Sequence, residues 1–186
     1  KTSAGPATAA VIALAGCATN KDSWMGATAE KTYDIELERI RQVAVLNNDD
    51  YYEYHKDGKI YVLADIKDVK NFLSTEEFAL RVTTVGGGPK GETLVFAIAN
   101  PEKGKKDGFG AVEMYYGRRV GAEKNFYAEV MKGGTYYVFA DWKSLEVYRK
   151  KGTFKAVATG KTPNGKSAVK FTSADPAIKE PFKATH

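Results

Sequence analysis

Shifted against itself by 76 residues, the chain falls onto its own pattern. Tyr51 lands on Tyr127. Identities follow at Glu53/Glu129, Lys56/Lys132, Gly58/Gly134, Tyr61/Tyr137, Val62/Val138, Ala64/Ala140, Asp65/Asp141, Lys67/Lys143, Phe78/Phe154 and Thr83/Thr159. Unrelated segments of that length share roughly two identities at ordinary residue usage. After a gap of two residues the match resumes at Pro89/Pro163, Gly91/Gly165 and Val95/Val169. The pattern predicts a duplication, and two copies are too few for a solenoid.

Both copies give the same elements. Tyr51 to Lys56 and Tyr127 to Lys132 read as a first strand, and aromatic and β-branched enrichment supports it. Asp57-Gly58 and Gly133-Gly134 are hairpin turns, because glycine accepts the positive φ such turns need. Ile60 to Leu63 and Tyr136 to Phe139 form the second strand. Asp65 and Asp141 stand at helix N-cap positions, where an acid also meets the positive helix end. The helices run over Ile66 to Ser74 and Trp142 to Lys150. One has an apolar face of Val69, Phe72 and Leu73, matched by Leu145 and Tyr148 in the other. A third strand follows Phe78 or Phe154, and a fourth covers Glu92 to Ile98 or Ser167 to Thr172.

The expected fold is therefore α+β: a tandem duplication of a β-β-α-β-β unit forming one pseudo-twofold domain. The copies occupy residues 48–100 and 124–174, joined by a connector over 101–123 in which Ala111 to Tyr116 reads as a further strand. Residues 17–47 form a tether and N-terminal segment. Within it Tyr33 to Leu46 reads as a helix, with Leu37, Ile40 and Ala44 at helical spacing, while Ile35 and Val43 suit a strand as well. Residues 175–186 contain two prolines and read as a loose tail.

At the other end, Lys1 precedes an apolar run from Ala7 to Ala15, which closes on Leu14-Ala15-Gly16-Cys17. A basic end, an apolar core and small residues make a bacterial secretory signal. The closing tetrapeptide resembles the lipobox of bacterial lipoproteins. The resemblance implies that residues 1–16 are a signal peptide, that Cys17 is acylated, and that the partner is a membrane reached through a lipid anchor. It implies an extracytoplasmic place in the bacterial cell envelope, at the periplasmic face of the outer membrane in a Gram-negative host, since Ala18 is not the Asp of inner-membrane retention. Ten apolar or small residues span roughly 15 Å as a helix, about half a bilayer core, which argues against a spanning segment.

Cys17 is the single cysteine, so with it acylated no disulfide, thiolate zinc site or thiol nucleophile remains. The net charge of +5 is spread among alternating signs. The densest basic run, Lys103-Gly104-Lys105-Lys106, has Glu102 and Asp107 beside it and reads as a solvated loop, so no nucleic-acid partner is expected.

Gly160-Lys161-Thr162-Pro163-Asn164-Gly165-Lys166-Ser167 fits the phosphate-loop pattern, whose amides cradle phosphates ahead of a helix. Here Ala168-Val169-Lys170-Phe171 alternates like a strand, so a hairpin turn is expected and no nucleotide cofactor. Gly86 to Gly91 carries Gly-x-Gly-x-x-Gly, again ahead of a strand. Asp65 and Asp141 as a repeated pair admit an acid–base or metal role, but the helix caps account for both. His55 reads as a half-exposed strand histidine, and no nucleophile motif accompanies it; His186 sits on the tail. Tyr52, Tyr54 and Tyr136 are the candidate ligand-binding residues, as outward strand tyrosines able to form a sugar- or peptide-binding face. Cross-strand aromatic pairing is the other account of them.

Asp57-Gly58-Lys59-Ile60-Tyr61-Val62-Leu63-Ala64-Asp65, followed by Phe72-Leu73, resembles the YHS domain, a small unit with a Gly-x-x-Tyr-x-Phe hairpin and a helix. Gly134 to Asp141 with Tyr148 echoes it. The cysteines that bind metal in many members are absent, so the resemblance implies no metal site. The function expected is a non-catalytic binding or structural module of the envelope, meeting an envelope protein or polysaccharide. A carbohydrate or small-ligand binder using the strand tyrosines is the alternative, and a hydrolase the third reading.

Overall fold

Two tight hairpins build the middle of the sheet. β1 (Asp50–Lys56) turns into β2 (Lys59–Leu63) through Asp57 at φ 51° and Gly58 at φ 71°. β5 (Tyr127–Lys132) turns into β6 (Thr135–Phe139) through Gly133 at φ 58° and Gly134 at φ 73°. Two successive positive φ values match the right-handed twist of the flanking strands, which is why the turn residues are Asp-Gly and Gly-Gly. The computed structural model describes residues 50–118 and 126–186. They fall within one of the chain's two compact units, Arg39–His186, while the other unit, Lys1–Glu38, lies outside the described residues. So do Cys17, the apolar run before it and the stretch around Leu37 to Ala44.

After the first hairpin come α1 (Ile66–Thr75), β3 (Arg81–Thr84), β4 (Thr93–Ala97) and α2 (Gly110–Tyr115). After the second come α3 (Trp142–Lys151), β7 (Ala158–Lys161), β8 (Ala168–Phe171) and α4 (Pro176–Thr185). Among the described residues eight strands join one sheet in the order β3-β4-β2-β1-β5-β6-β8-β7. β1 and β5 pair in parallel at its centre, with Tyr51 beside Ala128 and Tyr52 beside Glu129. The two hairpins are antiparallel, and β2·β4 and β6·β8 are parallel. The protein is α+β.

Strand alternation sends side chains to two faces, and both are covered. Tyr51, Ile60, Val62, Leu94 and Phe96 pack on one face with Met114 and Tyr115 of α2 and Leu145 and Tyr148 of α3. Tyr52, Tyr54, Leu63 and Val138 pack on the other with Val69 and Phe72 of α1 and Ile178 and Phe182 of α4. Fully burying a side chain such as Phe72 contributes about 1.5–3 kcal/mol.

Asp65 Oδ1 accepts the Lys67 N–H at 2.8 Å and Asp141 Oδ1 accepts the Ser144 N–H at 2.8 Å, so both aspartates cap helices. Gly160 to Ser167 closes the β7–β8 hairpin, with the Thr162 N–H on the Ser167 carbonyl at 2.9 Å, and a strand follows it.

Two expectations need correction. Ala111 to Tyr116 is not a strand: Ala111, Met114 and Tyr115 are buried at helical spacing on β2 and β4. Residues 175–186 are not a loose tail. Pro176 sits in the first turn, where its missing N–H costs nothing, Asp175 caps the helix at Ala177 N, and Phe182 is 1% exposed.

Candidate functional site: two buried carboxylates and their clefts

An alternating strand places Tyr51, Glu53 and His55 on one face. Glu53 is buried there. The Tyr51 hydroxyl donates to its Oε2 at 2.5 Å, and His55 Nε2 lies 2.5 Å from its Oε1. Burial alone raises the Glu53 carboxyl. The hydrogen bonds from His55 and Tyr51 and the Arg149 guanidinium outweigh that and hold it below the usual carboxylate range. Arg149 also donates to the Tyr115 carbonyl at 2.5 Å, at the end of α2, and lies 4.7 Å from the Tyr115 ring centre.

The second carboxylate is Glu129 of β5, on the opposite face and fully buried. The Tyr127 hydroxyl donates to its Oε2 at 2.8 Å, and the Tyr54 hydroxyl donates to its Oε1. His186 Nε2 completes the group at 3.0 Å and 3.2 Å from the two oxygens. Burial and the Glu129 charge push the Tyr54 and Tyr127 phenols well above their usual range. Such phenols are hydrogen-bond donors and not bases.

Each carboxylate is thus enclosed by its own tyrosine and histidine partners. Enclosure of this kind rigidifies a core. Among the described residues no serine or threonine hydroxyl bonds to His55, and no group of three or more His, Cys, Asp or Glu side chains could hold a metal ion. None of the described helices is long and apolar enough to cross a membrane.

A cleft opens beside each carboxylate. One of about 560 Å³ lies between α1 and α4, lined by Asp50, Tyr52, Lys70, Phe126, Tyr127 and Asp175, with Ile66 and Ala184 also on its wall. The other, about 430 Å³, is lined by Tyr115, Tyr116, Trp142, Glu146, Arg149 and Lys150. Ile66 and Lys70 of the first stand where the shift of 76 puts Trp142 and Glu146 of the second.

Tyr52, Tyr54 and Tyr136 are not outward-facing. They are 2%, 1% and 9% exposed. α1 and α4 cover their face: Phe72 stands 5.3 Å from the Tyr54 ring, and Phe182 stands 5.4 Å from Tyr136. Burial, then the Glu129 charge, raises the Tyr136 phenol to about 12. Of the three, Tyr52 lines the cleft between α1 and α4. Tyr61 and Tyr137, the identical pair on the second strand of each copy, are partly buried. Glu53 and Glu129 were visible in the sequence as an identical pair in Tyr-x-Glu, an acid on the same strand face as a tyrosine, and were not singled out.

No family model matches the chain, and neither a curated protein nor a solved structure does.

Proposed function

We propose that the described residues are the folded part of an envelope lipoprotein, anchored through acylated Cys17, and that it works as a non-catalytic binding module. Its binding site is the cleft between α1 and α4. The observation that carries this reading is the contrast within one face: Glu129 is sealed by Tyr54, Tyr127 and His186, while a cleft of about 560 Å³ stands beside it with aromatic and charged walls. Concave, mostly apolar sites of this size with a few polar groups are typical of small-ligand binding.

Duplication of a β-β-α-β-β unit belongs to the same reading. It is supported by the strand order, which runs identically outward from β1 and from β5, and by the parallel central pair, which is the pairing that a half-turn about an axis along the strands would give. Such a half-turn would exchange the faces, in keeping with α1 and α3 packing on opposite sides of the sheet. Tyr61 lies 4.8 Å from Phe72 and 5.9 Å from Phe78, and Tyr137 lies 4.8 Å from Tyr148 and 6.0 Å from Phe154.

Two measurements test the proposal. Cys17→Ser is expected to move the protein from the membrane pellet to the soluble fraction; unchanged pelleting overturns the anchor. Ala184→Trp places a ring in the cleft from an exposed position on α4. It is expected to abolish calorimetric binding of small envelope metabolites without lowering the melting temperature. Binding that survives this variant overturns the site.

A further inference from the structure

We infer that the open edge of the sheet at β7 takes an added strand from another protein, an extended acidic segment with Asp or Glu at alternate positions. This surface is separate from the cleft between α1 and α4 and does not depend on it. β7 is an outer strand, paired with β8 and with no other described strand. An antiparallel ladder alternates bonded residue pairs with unbonded ones. The Thr162 N–H bonds to the Ser167 carbonyl at 2.9 Å, so two residues further along the ladder Gly160 is bonded to β8 in turn. Thr159 and Lys161 therefore point their N–H and C=O groups out of the edge, where no hydrogen bond among the described residues takes them up. Such a row is a template for one more strand.

Charge decides what that strand is. From Arg149 to Ser173 every charged residue is a Lys or Arg. Those at the end of α3 suit the negative end of its dipole, but Lys155, Lys161 and Lys166 stand on no helix. All three are exposed, and among the described residues no carboxylate pairs with them. Lys161 shares a face with Thr159, and Thr159 stands opposite Lys170, whose Nζ lies 5.7 Å from the Tyr137 ring centre. A strand laid against β7 turns every second side chain to that face, which is why its acids alternate.

β3 is the other outer strand, and it has the same phase: the Ile98 N–H bonds to the Leu80 carbonyl, which leaves Arg81 and Thr83 outward. Its charge differs. The segment that the shift of 76 sets against this one mixes Glu76, Glu77 and Glu92 with Arg81 and Lys90. Val95 stands beside Tyr61 where Lys170 stands beside Tyr137. Lysines on an edge keep strands of their own sign away, so two β7 edges repel one another. An acidic strand instead gains the ladder and the ion pairs together. An anionic membrane or polymer would use the charge and leave the outward backbone groups unpaired.

The test uses the full chain and titration calorimetry with three probes: the end-capped peptide Glu-Thr-Glu-Val-Glu-Thr, the same peptide with every backbone nitrogen methylated, and phosphatidylglycerol vesicles. The plain peptide is expected to bind saturably and more weakly as salt rises, and the methylated one, with equal charge and no donors, not to bind. Thr159→Pro removes an outward N–H and spares the bonds between β7 and β8, as proline does on an edge strand. It is expected to abolish binding and keep the melting temperature; if it unfolds the protein, the methylated peptide decides. Lys161→Glu is expected to weaken binding by about tenfold or more, because repulsion replaces an attraction. An inert peptide overturns the inference. Equal binding of the two peptides overturns it as well, and leaves a charged surface without strand addition. Vesicle binding that Lys161→Glu removes, with the peptide inert, gives the edge to a membrane instead. Peptide binding unchanged in both variants places the contact elsewhere and overturns the edge. None of these outcomes involves Ala184→Trp, so the cleft stands or falls by its own test.

Discussion

Glu129 and His186 lie 57 positions apart and meet at 3.0 Å inside the protein, with 0% and 5% of their side chains exposed. His186 also stacks 4.6 Å from Tyr136 and 4.5 Å from Phe182, so it fastens the end of α4 to the sheet. His186→Ala is expected to cost about 1.5–3 kcal/mol, the scale of a hydrogen bond to a charged group. Glu129→Ala should cost more, about 3–5 kcal/mol, because Tyr54, Tyr127 and His186 all lose their acceptor in the core. Urea unfolding measures both. Limited proteolysis of His186→Ala should cut first within residues 176–185, and a first cut elsewhere would count against the fastening role.

The two faces make opposite demands on pH. Glu53 titrates below the ordinary carboxylate value because His55, Tyr51 and Arg149 favour its charged form in spite of burial. A depressed folded-state value means stability that is fully present above the unfolded value and is lost as pH falls through the folded one. Melting temperature should therefore drop steeply below the usual carboxylate range, and Glu53→Gln should flatten that drop while lowering stability at neutral pH. An unchanged acid limb in the variant would place the sensitivity elsewhere.

Asp68 on α1 behaves in the reverse sense. Burial, and then the charges of Asp65 and Glu102, raise its carboxyl to about 6. The folded form holds the proton more tightly than the unfolded chain, so the ionised group weakens the fold above pH 6, and that penalty fades as pH falls toward the ordinary value. Glu102 is itself fixed, accepting the Gly110 N–H at 2.6 Å with Lys105 Nζ 3.7 Å away. Asp68→Asn should raise the melting temperature at pH 7 and remove the gain that the parent shows between pH 7 and 5. Equal melting temperatures at pH 7 would contradict this account.

Strand positions, hairpin turns and both aspartate caps were legible because each depends on local chemistry: alternation, positive φ, an oxygen before a helix. What the sequence concealed depends on packing partners. Ala111 to Tyr116 is too short for its period to separate helix from strand, and tertiary contact with Phe96 and Tyr51 settles it. Pro181 inside α4 argued for a loose end, yet Ile178 and Phe182 gain enough burial to hold the helix. Missing that helix left the face of Tyr54 and Tyr136 uncovered, and so those tyrosines looked exposed. Glu53 and Glu129 were hidden for another reason, because an acid in a strand is ordinarily solvated and only its donors make it a core residue.

The ends of α1 and α3 offer a last comparison. α1 closes on Glu76 at φ 60° and α3 on Gly152 at φ 72°, each with its N–H returning to a carbonyl one turn back, Phe72 and Tyr148. Left-handed backbone costs a residue with a Cβ roughly 1–2 kcal/mol and costs glycine almost nothing. Glu76 therefore carries strain that Gly152 avoids, and the ion pair of Glu76 with Lys56 is exposed and offsets little of it. Glu76→Gly should stabilise the protein by about 0.5–1 kcal/mol, the strain relief being partly offset by greater freedom of the unfolded chain. Gly152→Ala should destabilise it by about 1 kcal/mol, and by backbone conformation alone, since no atom lies within 4 Å of the added Cβ. Chemical denaturation of the two variants decides the matter. Opposite signs support the left-handed caps, and a destabilised Glu76→Gly would show that the Lys56 contact outweighs the backbone term.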